Sequence, residues 1–287
     1  MSIPPTPFTP ELWVAQSDDF LTNSGIFLSE REAVLVDPCL RAAEIDAIAG
    51  FVRAQGAAVR RLVLTHSHWD HVLGPERFPG VRVIAQARYR EVVAREADHI
   101  AAEVAKWEAG IGQARERPFR VPAPDETFDD QGTLQLNRLT LRLLHVPGHA
   151  PDQLALYQPE RGLLWSSDIL SDVEIPFISD SLLAYERTLA ALAGLDLRVL
   201  VPGHGHPATG RAEIQSRLAA DRAYLSELHE RLGQAVARGA SLAEALAACA
   251  DMRFRRPAEN AEPHRLNVES VYLELGGPAD RSQVGWQ

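Results

Sequence analysis

Four good metal ligands crowd into one short stretch, LTHSHWDHVLG at residues 64–74: His66, His68, Asp70 and His71. The chain has 10 histidines in all, so three of them inside positions 66–71 is a concentration that apolar packing does not ask for. Neutral imidazole is the commonest zinc ligand, and a carboxylate oxygen also serves. On a strand, residues i and i+2 share a face, so His66 and His68 can hold one ion together if the strand leading in continues through them. Asp70 and His71 lie past the strand, where the backbone turns, and face a second position beside the first. A His-x-His pair alone is common and weak. The whole His-x-His-x-Asp-His string directly after a strand is far more specific, and outweighs the plain reading of a polar loop.

That stretch holds too few ligands for two metals, so the remainder must come from afar. HVPGH (145–149) and LVPGH (200–204) are the same ending twice: a strand closes on Pro-Gly and delivers a histidine, His149 and His204. The echo predicts two similar half-sheets that point their ends at one place. Asp168, in LLWSSD, also closes a strand, and a carboxylate with two oxygens can bridge two cations. Singly, each of the three is more often a turn residue. Together, at strand ends only, they form a ligand set. A closed tetrahedral site is structural, whereas a catalytic one keeps a position for water.

With THSHWDH (65–71), VPGH (146–149), SSD (166–168) and VPGH (201–204) in this order, the sequence resembles the metallo-β-lactamase-fold superfamily of hydrolases. NSGIFL and VLVDP look like its opening strands, and the resemblance covers about residues 12–210. It implies an α/β fold, a four-layer αβ/βα sandwich with the metals in a cleft at one edge. By the same resemblance His66, His68 and His149 hold the first metal, Asp70, His71 and His204 hold the second, and Asp168 bridges. Two zinc ions are favoured by the His-rich, Cys-free set, with manganese or iron as alternatives. The implied chemistry is hydrolysis. A metal-bridging hydroxide, formed near neutral pH, attacks an ester-type carbonyl, and Asp70 orients it or passes a proton to the leaving group.

Substrate is less legible. True β-lactamases of the superfamily generally lack the bridging aspartate, so Asp168 points to the glyoxalase II, lactonase and nuclease branches. Quorum-signal lactonases often place a Tyr just after that Asp, but this chain reads Asp168-Ile-Leu-Ser171. Arg253, Arg255 and Arg256 lie where glyoxalase II enzymes bind glutathione, and suit a solvated turn equally well. The net charge of −10 counts against the nuclease branch and nucleic-acid partners. The expected substrate is therefore a small molecule: a thioester, lactone or carboxylic ester. The alternatives are a phosphodiesterase, a mononuclear iron persulfide dioxygenase and, last, a metal-dead binding scaffold. Oligomeric state is not readable.

The elements that must position these residues follow from periodicity. LWVA, GIFL, AVLVDP, RLVLTH and VRVIA read as strands, and residues 42–55 place Ile45, Ile48 and Val52 at helical spacing. Strand and helix alternate, as in an α/β protein. Val93, Ala97, Ile100, Val104 and Trp107 predict a long amphipathic helix inserted at about 86–117, able to cover the cleft, with Trp107 as a pocket candidate. Strands resume at 139–147, 153–159 and 162–168, a helix follows at about 182–194, and RVLVPGH is the last clear strand. The core is thus expected over 1–210. Residues 211–287 are expected to form a helical extension packed on it. Within them Ser241 and Glu244 form a capping box, and a helix at about 264–275 carries His264 and Asn267 toward the site. His206, beside His204, is a further pocket candidate, while His99, His145 and His229 read as structural or surface groups. The proline-rich start reads as a loose arm. Two cysteines, Cys39 and Cys249, are too few for a disulfide framework and read as small buried hydrophobes. With no basic-then-apolar N-terminus and no run of ~20 apolar residues, the expectation is a cytoplasmic chain with no membrane segment.

Overall fold

Alternating apolar residues make two sheets, each with one face toward the other and one face toward helices. The computed structural model describes residues 4–38, 40–113, 115 and 117–278, so Cys39 lies outside the described residues. The first sheet runs, in spatial order, β1 (Thr6–Pro7), β2 (Leu12–Gln16), β3 (Asn23–Ser29), β4 (Glu32–Val36), β5 (Ala58–Val63), β6 (Arg82–Gln86) and β7 (Glu126–Phe128). β1 to β4 pair antiparallel, and β4 to β7 parallel. Parallel neighbours need crossovers, and helices α1 (Ala42–Ala54) and α2 (Tyr89–Gly110) supply two of them.

The second sheet contains β8 (Gln131–Leu136), β9 (Leu139–His145), β10 (Leu154–Gln158), β11 (Leu163–Ser167), β12 (Val199–Pro202) and β13 (Ala208–Thr209), in the order β13-β12-β11-β10-β9-β8. Helix α3 (Leu182–Ala193) joins β11 to the parallel β12. Because β9 and β11 are each antiparallel to β10, strands β9, β11 and β12 all point the same way. The HVPGH and LVPGH endings therefore leave one edge of a single sheet. The two half-sheets expected from the repeat are not separate: a two-fold echo in sequence became two parallel strands with β10 and β11 between them.

The strand period of two sorts side chains into three apolar layers. Phe27, Val34, Val36 and Val63 of the first sheet meet Leu141, Leu143, Leu156 and Trp165 of the second between the sheets. Ile26, Leu35 and Leu62 face outward under α1 and α2, joined by Ile45, Ile48, Tyr89 and Val104. On the other side Ala155, Leu164 and Leu200 pack under α3 and the C-terminal helices α4 (Arg211–Ala237), α5 (Leu242–Cys249) and α6 (Ala261–Glu274). Each fully buried Leu, Ile or Phe stabilises by about 1.5–3 kcal/mol. This is the four-layer αβ/βα arrangement. Ser241 accepts the Glu244 N–H and the Glu244 side chain returns to Ser241, the expected capping box. Cys249 is buried. No helix among the described residues is long and apolar enough to cross a membrane.

Three details differ from the sequence reading. Pro7 belongs to a short strand paired with β2 rather than to a loose arm. β7 has only three residues, and β8, with Gln131, Gly132, Thr133 and Gln135 among its six, is too polar for periodicity to mark. Helix α2 covers 89–110, with its buried stripe spent mainly on the outer face of the first sheet rather than over the cleft.

Candidate metal centre

Asp37 follows β4, His66 follows β5, His149 follows β9, Asp168 follows β11 and His204 follows β12, so five strand ends meet at one edge of the sandwich. β5 stops at Val63. His66 and His68 therefore stand in the loop beyond it rather than on a strand face, yet their rings lie 4.5 Å apart. Two donor groups result: His66, His68, His149 and Asp168, and beside them Asp70, His71 and His204, with the donor atoms of each group within 4.8 Å of one another. Asp168 Oδ2 joins the two. It lies 3.5 Å from His66 Nε2, 3.4 Å from His149 Nε2, 3.3 Å from His71 Nε2 and 3.5 Å from His204 Nε2. His149 Nε2 is 3.0 Å from His68 Nδ1, and Asp70 Oδ2 is 3.2 Å from His204 Nε2.

These spacings suit a cation. Ligands at about 2.0–2.1 Å around tetrahedral zinc are separated from each other by about 3.3 Å. The buried atoms His66 Nε2 and Asp168 Oδ1 have no hydrogen-bond partner among the described residues, a costly state for polar groups unless a ligand uses them. Five imidazoles and two carboxylates thus fit a pair of divalent ions in both chemistry and spacing.

The second ring nitrogens fix which atom points inward, since a hydrogen bond at one nitrogen sets the tautomer. His71 Nδ1 lies 3.0 Å from Asp37 Oδ2, His149 Nδ1 donates to the Phe177 carbonyl at 3.0 Å, and His204 Nδ1 donates to the Phe20 carbonyl at 3.1 Å. His66 Nδ1 meets Thr65 Oγ1 at 3.1 Å and Ser167 Oγ at 3.3 Å. His68 is turned the other way, with Nδ1 inward and Nε2 3.4 Å from Ser179 Oγ. Thr65 in turn donates to Asp37, through its amide at 2.8 Å and its hydroxyl at 2.5 Å.

Charge in the cluster is set by burial and close neighbours. Burial, with His71 and His68 adding to it, makes His66 a poor proton acceptor, and burial and His68 push His149 down to about 3. His71 and His204 go the other way: burial opposes protonation, but Asp168 and the other nearby carboxylates raise both well above the usual imidazole range. Burial would raise Asp70, yet His71 and His204 bring it down to about 2. Asp168 likewise stays ionised against burial, through His71, His204 and His66. The two carboxylates draw positive charge into the site.

The Pro-Gly-His turns have a steric reason. Gly148 has φ +129°, and a side chain there would strike the Tyr185 main chain. A side chain at Gly203 would strike the Asp168 carboxylate and the His71 ring, so glycine lets β12 end against the cluster.

The remaining candidates fall in different places. Trp107 packs on Trp69 at 5.4 Å between centroids, and Trp69 meets Phe20 edge-on at 5.9 Å. Phe20 is 55% exposed, Trp69 sits between His68 and Asp70, and the Phe20 carbonyl holds His204, so this aromatic strip borders the donor groups. His206 is exposed and pairs with Asp172 at 2.9 Å, outside the cluster. His264 is not brought to the site. Its nitrogens are taken by Tyr224 Oη at 2.9 Å and the Cys249 carbonyl at 3.1 Å. Asn267 is buried behind the site, where it accepts the Ile178 N–H at 2.8 Å and donates to the Pro176 carbonyl at 2.7 Å. Arg255 is a strut, bonded to Asp221 and to the Ser171 and Glu174 carbonyls. Asp37 and Ser179 also attend the cluster. Asp37 could have been found as another strand-end carboxylate; nothing in the sequence marks Ser179.

Known proteins resemble this chain in sequence and in fold. Residues 17–204 match the family model described as the metallo-beta-lactamase superfamily. The linear primary-alkylsulfatase of Pseudomonas sp. (strain ATCC 19151) is 24% identical over 217 residues, covering 64% of this chain and 41% of that protein. The acyl-coenzyme A thioesterase MBLAC2 of Bos taurus is 33% identical over 189 residues, covering 60% of this chain and 64% of that one. The chain thus spans less than two thirds of the length of either relative. The crystal structure of a metallo-beta-lactamase family protein from Thermus thermophilus superposes with a TM-score of 0.67 at 23% identity, over 91% of this chain and 93% of that chain. The family match takes in both donor groups and most of the sandwich that carries them, and the chain belongs to the metallo-beta-lactamase superfamily.

Proposed function

We propose that the protein is a dinuclear metal-dependent hydrolase of ester-type carbonyls (thioesters, lactones or carboxylic esters), with two zinc ions. The observation that carries this reading is the convergence of two complete donor groups on one carboxylate oxygen, Asp168 Oδ2. His66, His68 and His149 would hold one ion, Asp70, His71 and His204 the other, and Asp168 both. Bound there, the ions supply an activated water near neutral pH and Lewis acidity toward the carbonyl oxygen.

The chain's own residues do the rest. Asp70 orients the attacking water and passes a proton toward the leaving group. Asp37, Phe177 and Phe20 keep the histidines facing inward. The Phe20–Trp69–Trp107 strip offers an apolar wall for the acyl group of a small-molecule substrate. We further assign residues 1–210 to the catalytic core and 211–287 to an extension that braces it, since Asn267 and Arg255 reach the loop behind Asp168. The thioesterase relative agrees with carbonyl chemistry. A mononuclear dioxygenase has no use for the second donor group.

Elemental analysis of the purified protein tests the reading first. Two zincs per chain, with ester or thioester hydrolysis lost on chelation and restored by zinc, is the expected result. One iron per chain with oxygen uptake on persulfides, or turnover of bis-p-nitrophenyl phosphate alone, overturns it. H66A and H149A are each expected to abolish activity and empty the first position.

A further inference from the structure

Ser167 closes β11 in a conformation that serine rarely adopts. Its φ is +55°, in the left-handed region that favours glycine. The pairing of β11 with β12 shifts register at this point, and the Ser167 carbonyl accepts the Gly203 N–H at 2.6 Å. The turn thus serves two ligands through the backbone alone. It leads the chain into Asp168, the next residue, and it fastens the strand end that carries His204. Glycine would make the same turn without strain. What serine adds is a hydroxyl, and the residue is fully buried.

That hydroxyl belongs to a one-way hydrogen-bond chain around His66. Ser167 Oγ lies 2.8 Å from Thr65 Oγ1, 3.3 Å from His66 Nδ1 and 3.3 Å from Gln153 Oε1. Thr65 Oγ1 lies 3.1 Å from His66 Nδ1 and spends its proton on Asp37 Oδ2 at 2.5 Å. A hydroxyl has one proton and two lone pairs, so Thr65 can only accept from its other neighbours. Ser167 donates to Thr65 Oγ1 or to Gln153 Oε1, and either way keeps lone pairs for His66. Two oxygens therefore accept at His66 Nδ1 and none donates there. The ring proton is held at Nδ1, and the lone pair of Nε2 faces inward, where that atom has no hydrogen-bond partner among the described residues.

We propose that the Ser167 hydroxyl is a positioning group for the first metal, given the metal-binding reading of His66, His68 and His149 on which this rests. Beside Thr65 it accepts at His66 Nδ1, fixes the tautomer that presents Nε2 to the ion, and so tightens that one position. The left-handed turn costs the fold some stability, and the hydroxyl returns it as metal affinity. Glycine, the relaxed alternative, has no oxygen to offer.

The test compares the full chain with S167G, which removes the hydroxyl and relaxes the turn, and S167A, which removes the hydroxyl and keeps the strain. Zinc dissociation constants are read by competition with a chelating indicator. The His66 ring is followed by nitrogen-15 NMR of the zinc-loaded protein, its Nδ1–H signal assigned by its loss in H66A. In both variants one zinc dissociation constant should rise about tenfold, the scale for removing an outer hydrogen-bond partner of a ligand, while the other stays within about twofold. The His66 Nδ1–H signal should exchange with solvent faster in both variants than in the wild type. At equal excess of zinc, S167G should melt about 2–4 °C above S167A, since only alanine keeps the strain. Wild-type zinc affinity in S167G overturns the proposal, because it leaves Ser167 a backbone role only. So does equal weakening of both zincs, which is general damage to the site, or an unchanged His66 signal. If S167A does not fold, S167G decides alone. If the wild type binds two zincs yet hydrolyses no ester or thioester, the hydrolase reading fails alone and the zinc affinities still decide the role of Ser167. If the wild type takes up no metal, both fail.

Discussion

The Nε2 atoms of His71 and His204 face each other at 3.3 Å, although the residues are 133 positions apart. Each ring is held from behind, His71 by Asp37 and His204 by the Phe20 carbonyl, so neither can turn its inner nitrogen away without losing that bond. Two neutral nitrogens at this distance repel unless a proton or a cation lies near them. Asp70 and Asp168 add to the demand for positive charge. The pair is therefore a place where protons and metal compete.

Metal loading should expel protons. Ligating imidazoles must be neutral, and His71 and His204 both hold protons well above the usual imidazole range. Zinc affinity should therefore fall as pH is lowered through neutrality. Calorimetric titration in buffers of different ionisation enthalpy should give heats that change with the buffer, and identical heats would count against the competition.

The aromatic strip should show itself in substrate preference. Phe20 leaves much of its ring in solvent, and covering it with an acyl chain is worth about 1 kcal/mol. F20A should raise KM for a long-chain acyl ester about fivefold while leaving an acetyl ester little changed. Equal effects on both would place the substrate elsewhere.

Asp152 should make stability depend on pH. It is 0% exposed, and burial, only partly relieved by hydrogen bonding from Ser67, raises it from 3.8 to about 6. A raised acid prefers its proton in the folded state, so stability tied to that proton is intact below about 3.8 and lost as pH rises through about 6. That gap corresponds to about 3 kcal/mol. D152N should be nearly neutral at low pH and stabilising by up to that amount at pH near 8, as read from denaturant midpoints. A pH-independent effect would refute this.

Asn267 should matter for stability. N267A leaves the buried Ile178 N–H and the Pro176 carbonyl without partners, at a cost of about 2–4 kcal/mol in chemical denaturation. A change below about 0.5 kcal/mol would show that water replaces the amide there.

Much of the site was legible because its ligands come in local strings. His66, His68, Asp70 and His71 announce themselves by spacing, and His149, Asp168 and His204 by standing where strand patterns stop. Where inference went further than local pattern it was less exact. The repeated Val-Pro-Gly-His ending suggested two half-sheets, because a repeat says nothing about which strands pair. His264 looked available for substrate, because its face on a helix is readable but its partners Tyr224 and Cys249 are not.

By itself the sequence determined the residue chemistry: a histidine-rich, cysteine-free donor set at the ends of apolar strands, with glycines where a side chain would collide. Only the tertiary structure decided which of those ends point the same way. The reason is strand direction. β9, β11 and β12 run parallel within one sheet and β5 delivers the motif loop from the other, so residues far apart in the chain share one oxygen of Asp168.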